Sequence, residues 1–398
     1  MATAVFTITD LKKNKTKRKP PPPFTTSTLQ QEASNKLGMS PNVVMKCAQK
    51  LYENGLITYH RTDSLMIADD AMKSIKEFII SKWDDKHYKE TRYKTKSKNS
   101  QEAHEACRPT DIRKISVLSE TNIQYSENRL YQLIWKRTVG SQMSPADVEI
   151  KTIKINLEGS DYNFTGKFEK IIFPGFLKIH DIIKDKKSNT ENQNEGNDDQ
   201  NDSNSNSDEN DENDNNDDES NNNSDGKKKG KNQQLNKKIE KILGKLKKGD
   251  QVYLAKLEAL QKSSKPPKSR FTEASLIKTL EEKGIGRPST FASMVTKVQD
   301  RNYVERKTLA PVEKEFNHLV FCSPNKTTHK MKKVKVDGEK NKLFPTGLGI
   351  MVNEFLVKNF DSILDYQFTA KVESLLDEVA QGNKVWNLVV KSVYDTFN

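Results

Sequence analysis

The chain has 398 residues, of which 33% are hydrophobic, and its formal net charge is +12. This length allows two or three domains, each large enough to bury its own core. Its three cysteines, Cys47, Cys107 and Cys322, lie far apart without a C-x-x-C pair, which argues against a structural zinc site and favours a reducing compartment. No stretch approaches the about 18 consecutive apolar residues of a membrane span, and the start lacks a signal-peptide core. We therefore expect a soluble intracellular protein, in the cytoplasm or nucleus, without a membrane partner.

The beginning of the chain predicts the end of a strand followed by a linker. A mostly apolar stretch ends at Ile8, and a basic run leads into four prolines, Pro20–Pro23. Consecutive prolines form a stiff, extended connection. We therefore assign residues 1–23 to the end of a β domain and a proline-rich linker.

Residues 24–145 have the apolar spacing of helices and predict a compact helical domain. Thr28 is expected to cap a first helix that Gly38 closes, because threonine favours the start of a helix and glycine its end. Ser40, followed by proline, is expected to cap a second helix that ends near Gly55. A short extended segment then reaches Tyr59, and a further helix is expected around 126–140.

Residues 146–187 and 227–268 predict one β domain, because apolar residues recur there with a period near two. Residues 188–226 interrupt it with Asn, Asp, Ser, Glu, Gln and Gly, including 14 acidic side chains and no basic one. Such a segment buries too little apolar surface to offset the entropy of ordering, so we expect a disordered acidic insert. Without its 14 negative charges the net charge of +12 becomes +26 on the other 359 residues. That charge favours a polyanion such as nucleic acid, although a solvated basic surface explains it equally well.

Residues 269–398 predict a second helical domain. A helix over 272–282 and another beginning near Pro288 are followed by an extended Tyr303-Val304, which repeats the helix–turn–helix–strand order of 28–59. Two winged-helix-type modules of this kind would present a helix to DNA, although helix pairs followed by a strand also occur in proteins that bind nothing. The fold class expected from these parts is multidomain α+β.

The segment from Gly55 to Ser64 contains the most informative chemistry. Tyr59 stands at the end of the extended stretch, and Arg61 lies two residues further on. A phenol that attacks a phosphodiester needs a cation to stabilise the charge that develops on the phosphorus oxygens, and Arg61 could supply it. It also needs a proton acceptor or a field that lowers its pKa. A tyrosine at a strand end is more often only structural, so this reading depends on its neighbours.

Gly-Leu-Ile-Thr-Tyr-His-Arg-Thr-Asp-Ser resembles the active-site signature of type IA DNA topoisomerases, in particular the bacterial-type topoisomerase I group. Four further blocks support the resemblance in the family's order. They are residues 22–33, residues 101–110, the segment 271–304 with its Glu282-Lys283-Gly284-Ile285-Gly286-Arg287-Pro288-Ser289-Thr290 motif, and residues 366–370 with 376–377. The acidic insert and residues 305–342 lie outside these blocks.

The resemblance implies roles for eight residues. Tyr59 is the expected nucleophile, which forms a 5′-phosphotyrosine and releases a 3′-hydroxyl, Arg61 contacts the scissile phosphate, and His104 assists the active site or its DNA contacts. The expected contacts to single-stranded DNA are Arg287, Ser289, Thr290 and Arg301, of which Thr290 is also a plausible helix cap. Arg108 is either a phosphate contact or part of a structural salt bridge. His60 replaces the methionine common in bacterial members and is interpreted as variation rather than as a base.

The resemblance also implies a Mg²⁺-binding TOPRIM domain, whose acidic cluster and catalytic glutamate we do not find in this sequence. Mg²⁺ is therefore expected for the full reaction, with its ligands on a separate TOPRIM-bearing chain, and neither zinc nor ATP is expected. The chain could be a split-gene product, an incomplete gene model or a degenerate copy. The expected function is the cleavage and rejoining of one DNA strand, which relaxes negatively supercoiled DNA. The alternative is a non-catalytic remnant that binds single-stranded DNA.

Overall fold

The structure is a computed structural model, which describes residues 5–94, 105–180, 239, 241–261, 269–322 and 326–395. His104 and the acidic insert over 188–226 lie outside these residues, as do residues 227–238, 240 and 262–268. The described part combines helices with antiparallel sheets, which confirms the predicted α+β class. None of its helices is both long and apolar enough to cross a membrane.

The first helical domain contains α1 to α4, which are Thr26–Leu37, Pro41–Glu53, Asp69–Lys82 and Tyr125–Ser141. The prediction that Thr28 caps α1 is wrong by three residues. Thr25 is the cap, and its hydroxyl and that of Thr28 each accept a hydrogen bond from the other's backbone N–H. This reciprocal pair satisfies two N–H groups that the first turn leaves free, so the chain favours the earlier threonine. Gly38 ends α1 in the left-handed region, and Ser40 caps α2 ahead of Pro41, as predicted.

The core of this domain forms around α4, whose Leu130, Ile134 and Trp135 are fully buried. The Trp135 indole N–H donates a hydrogen bond of 2.8 Å to the carbonyl of Ile112, so the ring is buried without leaving a polar group unpaired. Ile57 belongs to the same core and is 1% exposed. Full burial of such a side chain stabilises the fold by about 1.5–3 kcal/mol, and it fixes the extended segment that carries Tyr59.

The first sheet joins strands that are distant in the sequence. Its antiparallel strands are β1 to β4, which are Phe6–Arg18, Ala146–Leu157, Asn163–Phe173 and Gln251–Val252, in the order β3-β2-β1-β4. We predicted that the strand near the start of the chain ends at Ile8, and this is wrong. The strand continues through the basic run to Arg18. Its lysines lie on a strand because β2 pairs with β1 as far as Arg18 opposite Ala146. The ladder to β2, rather than the intrinsic preference of lysine, therefore sets the length of β1.

The last part of the chain begins with α5, Glu273–Glu282, and α6, Phe291–Asp300. The prediction of a helical domain over 269–398 is wrong for 304–345. This segment contains β6 to β9, which are Val304–Leu309, Val312–Cys322, Lys326–Val336 and Glu339–Pro345. Half-buried residues at Phe316, His318 and Val320 alternate with exposed ones, so the burial period is two, although frequent lysines and glutamates obscure it in the composition.

These four strands pair in two separate sheets. β6 pairs with β9, whereas β7 pairs both with β8 and with β5, Lys256–Leu260. Helices α7 to α10 follow, at Gly347–Asn359, Asp361–Leu364, Tyr366–Ala380 and Trp386–Tyr394.

Candidate active site

The segment that carries Tyr59 is positioned by the end of α2. Gly55 has a φ of 67°, a left-handed conformation that glycine adopts without steric cost, and the Leu56 N–H bonds back to the carbonyl of Leu51 at 2.9 Å. Leu56 and Ile57 then enter the core. The Tyr59 ring follows at the surface and is 44% exposed. Burial of one end of the segment thus presents the phenol to solvent at the other.

Residues 105–110 run antiparallel beside this segment. The Thr58 N–H donates to the carbonyl of Arg108 at 2.8 Å, and the Arg108 N–H returns a bond of 2.9 Å to the Thr58 hydroxyl. The Thr110 N–H donates to the carbonyl of Leu56 at 3.0 Å, and Ile57 and Pro109 form a β-bridge. Two sequence blocks that we assigned to the site separately therefore form one short piece of sheet immediately before Tyr59.

Thr26, at the start of α1, holds the other side of the segment. Its N–H donates to the carbonyl of Thr62 at 2.8 Å, and the Thr62 N–H donates to the Thr26 hydroxyl at 2.8 Å. The same hydroxyl lies 2.7 Å from the carbonyl oxygen of His60. His60 and Thr62 are both buried, whereas Arg61 between them is exposed and forms no ion pair with any described residue. This clamp fixes the backbone on both sides of Arg61 and leaves its guanidinium free for an anion.

His60 is a buried, neutral side chain whose ring meets the Tyr59 ring edge-on. Their ring centroids are 5.4 Å apart, and Tyr52 packs edge-on against Tyr59 at 5.2 Å. Burial, with a smaller contribution from the Arg61 charge, lowers the pKa of His60 to about 4. Neither ring nitrogen of His60 has a hydrogen-bond partner among the described residues. It is therefore a packing group rather than an accessible base, in agreement with its interpretation as variation.

A cleft of about 350 Å³ brings Arg61 together with the last part of the chain. It lies between α2 and α6, and Ser289 is in its wall, so two of the predicted site residues line one cavity despite their separation in sequence. The remaining lining residues are Asn42, Met45, Ala292, Ser293, Thr296, Lys297 and Asp300. The Ser27 hydroxyl donates a hydrogen bond of 2.6 Å to a carboxylate oxygen of Glu281, which ties α1 to α5.

Thr290 and Arg287 stabilise the loop before α6 through their own hydrogen bonds and ion pairs. The Thr290 hydroxyl accepts a bond of 2.8 Å from the Arg287 N–H, and Gly286 at φ 87° leaves only 3.0 Å between that hydroxyl and an added Cβ. The Arg287 guanidinium pairs with Glu373 at 3.0 Å and with Asp377 at 2.8 Å. Thr290 stands at the N-cap position of α6, but its hydroxyl makes no capping bond to the first turn of the helix and bonds the preceding loop instead. Arg287 joins the third sequence block to the fourth.

Arg108 was predicted to be either a phosphate contact or part of a structural salt bridge, and it forms a salt bridge in the structure. It donates 2.8 Å to Glu105, its side chain is 14% exposed, and Glu105 also accepts a bond of 2.6 Å from the Ala68 N–H. Arg301 is exposed at the end of α6. The roles of Arg108, Arg287, Ser289, Thr290 and Arg301 in DNA binding stay predictions, as do those of Tyr59, Arg61 and His104 in catalysis.

Three residues of the site were not singled out from sequence, namely Thr26, Thr58 and Lys297. Thr26 and Thr58 lie inside the matched blocks, but their function is to bond backbone that folds beside them, which a linear motif does not reveal. Lys297 lies beyond the Arg287 motif and was hidden among many lysines. Within the described ranges, no three His, Cys, Asp or Glu side chains cluster as metal ligands, so this part of the chain does not fit the Mg²⁺ that the family implies.

Comparison with known proteins identifies the class. The family model described as DNA topoisomerase matches residues 1–215 and 209–336, and the chain belongs to that family. Within the family it is of the type IA, bacterial-type topoisomerase I group. It is 36% identical over 404 residues to "DNA topoisomerase 1 type prokaryotic" of Acanthamoeba polyphaga mimivirus, which covers 98% of this chain and 42% of the viral protein. DNA topoisomerase 1 of Xylella fastidiosa is 34% identical over 401 residues, with 98% of this chain and 40% of that protein covered.

A solved structure has the same fold. Full-length topoisomerase I from Thermotoga maritima matches with a TM-score of 0.66 and 26% identity, covering 99% of this chain and 52% of that one. The chain therefore spans about two fifths of the curated relatives that it matches and about half of the solved structure.

Proposed function

We propose that this chain carries the nucleophilic part of a type IA topoisomerase, which cleaves and rejoins one DNA strand through Tyr59 and so relaxes negatively supercoiled DNA. One observation carries the proposal. Tyr59 and Arg61 are both exposed and stand two residues apart on a segment that Thr26 and residues 105–110 hold from both sides.

The proposed reaction is a transesterification. The Tyr59 phenolate oxygen attacks the phosphorus, the bond to the 3′-oxygen of the neighbouring nucleotide breaks, and that oxygen leaves as a 3′-hydroxyl after it takes up a proton. The phosphate stays on Tyr59 as a 5′-phosphotyrosine, so the bond energy is retained and no nucleotide is hydrolysed. Arg61 stabilises the negative charge on the non-bridging oxygens. Attack by the 3′-hydroxyl in reverse restores the strand.

The substrate strand is proposed to follow the cleft from Arg61 towards α6. Ser289 and Lys297 supply a hydroxyl and an ammonium group on its far wall, and Arg301 extends the basic surface at the end of that helix. Phosphate contacts of this kind position a single strand without reading its sequence. Arg108, Arg287 and Thr290 then act mainly as positioning residues, because each is already bonded within the fold. His104 remains a predicted contributor from the segment outside the described residues.

A TOPRIM domain on a separate chain is proposed to complete the site with the Mg²⁺ ligands and the catalytic glutamate. The last helices support the proposal of a covering polypeptide, because α7 and α9 contain no buried residue. On α7 and α10, Met351, Phe355, Trp386 and Leu388 each expose at least 60% of their surface. Apolar surface of this extent is typical of a face that another polypeptide covers.

A trapping assay on denaturing gels tests the proposed function. The chain is mixed with labelled single-stranded DNA, with and without Mg²⁺ and with and without the TOPRIM domain from the same source. We expect a covalent adduct that requires the TOPRIM domain and is lost in Tyr59→Phe, which still binds the strand. No adduct under any condition, together with normal binding, would favour the non-catalytic remnant instead.

A further inference from the structure

The hairpin of β7 and β8 is inserted between two strands that pair with each other. β6 pairs with β9 from Val304 opposite Pro345 to Leu309 opposite Glu339, and the hairpin leaves between these partners. Gly338 closes its base, where an added Cβ would lie 2.9 Å from Pro311. The hairpin does not contribute to the β6–β9 sheet and instead pairs with β5, so this insertion forms a separate surface.

The two faces of this hairpin carry charge differently. On one face, Lys333 and Lys335 lie directly opposite Glu315 and Glu313 of the neighbouring strand. On the other face, the exposed lysines of β8 lie opposite uncharged or aromatic residues, with Lys326 facing Cys322, Lys330 facing His318 and Lys332 facing Phe316. We call this second side, formed by Lys326, Lys330 and Lys332, the lysine face.

The carboxylates near the lysine face are already paired. Glu258 contacts both Lys256 and His318, and Asp337 bonds to Lys314 at 2.5 Å. The three lysines of the face form no ion pair with any residue of the described chain. Lys333 and Lys335 form no ion pair within the described chain either, but each lies directly opposite a glutamate, whereas no carboxylate lies opposite a lysine of the lysine face.

The spacing and neighbours of the lysine face suit an extended polyanion. Side chains two residues apart on a strand lie about 7 Å apart on the same side, so the lysines form a row rather than a cluster. The half-buried ring of Phe316 lies opposite Lys332, and an aromatic ring beside cations is a usual platform for an unstacked base. A row of ammonium groups that track a backbone beside such a ring favours single-stranded nucleic acid over a compact anion.

A simpler explanation is that lysines on an outer strand prevent sheets from pairing edge to edge. β8 is such an outer strand. Protection of an edge does not require one face to be balanced by glutamates and the other left unbalanced. Edge protection therefore does not explain why glutamates lie opposite the lysines of one face and not of the other.

We propose that the lysine face is a second binding surface for single-stranded DNA, which holds a strand through its phosphates away from the Tyr59 cleft. This inference rests on the proposed function, because it takes the substrate to be DNA. The surface contributes affinity and salt dependence rather than chemistry.

Two matched double variants test the proposal. Lys330→Gln/Lys332→Gln removes two charges from the lysine face, and Lys333→Gln/Lys335→Gln removes two from the same strand on the opposite face. Binding of the full chain to a fluorescent single-stranded oligonucleotide is measured by anisotropy over a range of salt concentrations, in a Tyr59→Phe background. Because each phosphate contact contributes about 0.7 to the slope of log K against log salt, we expect the first variant to lose about 1.4 and the second to keep its slope.

Equal losses in both variants would mean a general effect of net charge and would overturn the proposal, as would no loss in either. Self-association of the first variant without any change in DNA binding would assign the lysines to edge protection and overturn it too. The proposed function is tested separately, by adduct formation in the Tyr59-containing versions of both variants on an oligonucleotide just long enough to fill the cleft. If both double variants form adducts and their salt-dependence slopes are equal, the second DNA-binding surface is refuted and the cleavage stands. If their slopes differ but neither forms an adduct, the surface stands and the proposed cleavage is refuted.

Discussion

Replacing His60 by methionine should remove most of the acid sensitivity of the first helical domain. The imidazole is fully buried, and burial together with Arg61 lowers its pKa to about 4, from the 6.5 of a solvated histidine. Between these two values the unfolded chain binds a proton that the folded chain does not. The free energy of unfolding therefore falls as the pH drops from about 6.5 to about 4, and above about pH 6.5 His60 causes no such loss.

The expected size of this effect follows from the two pKa values. A difference of one pKa unit corresponds to about 1.4 kcal/mol, so the whole change amounts to about 3 kcal/mol at pH 4. The buried ring nitrogens of His60 have no hydrogen-bond partner, and an unpaired buried polar group of this kind costs about 1–3 kcal/mol. Methionine has no titrating group and removes this cost. The His60→Met chain should therefore be at least as stable as the wild type at pH 7.

Urea denaturation at pH 7, 6, 5 and 4, followed by tryptophan fluorescence, measures this difference. Trp83 and Trp135 both lie in this domain and report on it. We expect wild type to lose about 3 kcal/mol more than His60→Met across the range. The matched control is His329→Gln, which removes an exposed histidine and should behave as wild type. If wild type and His60→Met lose stability in parallel, the neutral, buried state of His60 is refuted.

Three further changes test the arrangement of the site. Arg61→Gln should reduce adduct formation by at least tenfold, because the phosphate loses its cation. The melting temperature should stay within a degree or two of wild type, since Arg61 forms no ion pair within the described fold. An unchanged adduct yield would show that Arg61 does not contact the phosphate. Thr58→Val should destabilise the first domain by about 1–3 kcal/mol in urea titrations, because the Arg108 N–H loses its acceptor, and a change below 0.5 kcal/mol would contradict this. Gly286→Ala should weaken single-strand binding several-fold and lower stability by about 1 kcal/mol or more, since its Cβ would meet the Thr290 hydroxyl at φ 87°. Gly159→Ala has a similar φ of 77° but open space around its Cβ, so it carries the backbone strain alone and should leave single-strand binding unchanged.

The parts of the fold that sequence predicted correctly are those fixed by local signals. Ser40 followed by proline, and Gly38 in a left-handed conformation, mark helix ends through their own side chains or their lack of one, and both were found where expected. The family and the α+β class were likewise accessible, because the matched blocks extend over most of the chain.

The errors come from pairing between distant segments. The basic run up to Arg18 forms a strand because β2 supplies its hydrogen-bond partners, and β2 begins more than a hundred residues later. Residues 304–345 form strands for the same reason, since β7 lies between β5 and β8. Lysine-rich segments have little intrinsic β preference, so composition pointed away from the structure that the ladders impose.

The candidate site divides in the same way. Tyr59 and Arg61 are neighbours in a motif and could be proposed from it directly. That Arg61 and Ser289 share a cleft, or that Arg287 is engaged by Glu373 and Asp377, depends on how α6 packs against α2 and α9. No spacing along the chain encodes those contacts.

The most direct test of the account is to identify the tyrosine that becomes attached to DNA and the strand end that it holds. Tyr52 provides an internal control, because its ring is exposed and lies 5.2 Å from that of Tyr59. Adducts formed with the TOPRIM domain present would be digested and mapped by mass spectrometry, with the oligonucleotide labelled at either end. We expect the DNA on Tyr59 alone, carrying the 3′ label, and a normal adduct in Tyr52→Phe. Attachment through Tyr52, or an adduct that carries the 5′ label, would contradict the mechanism proposed for this chain.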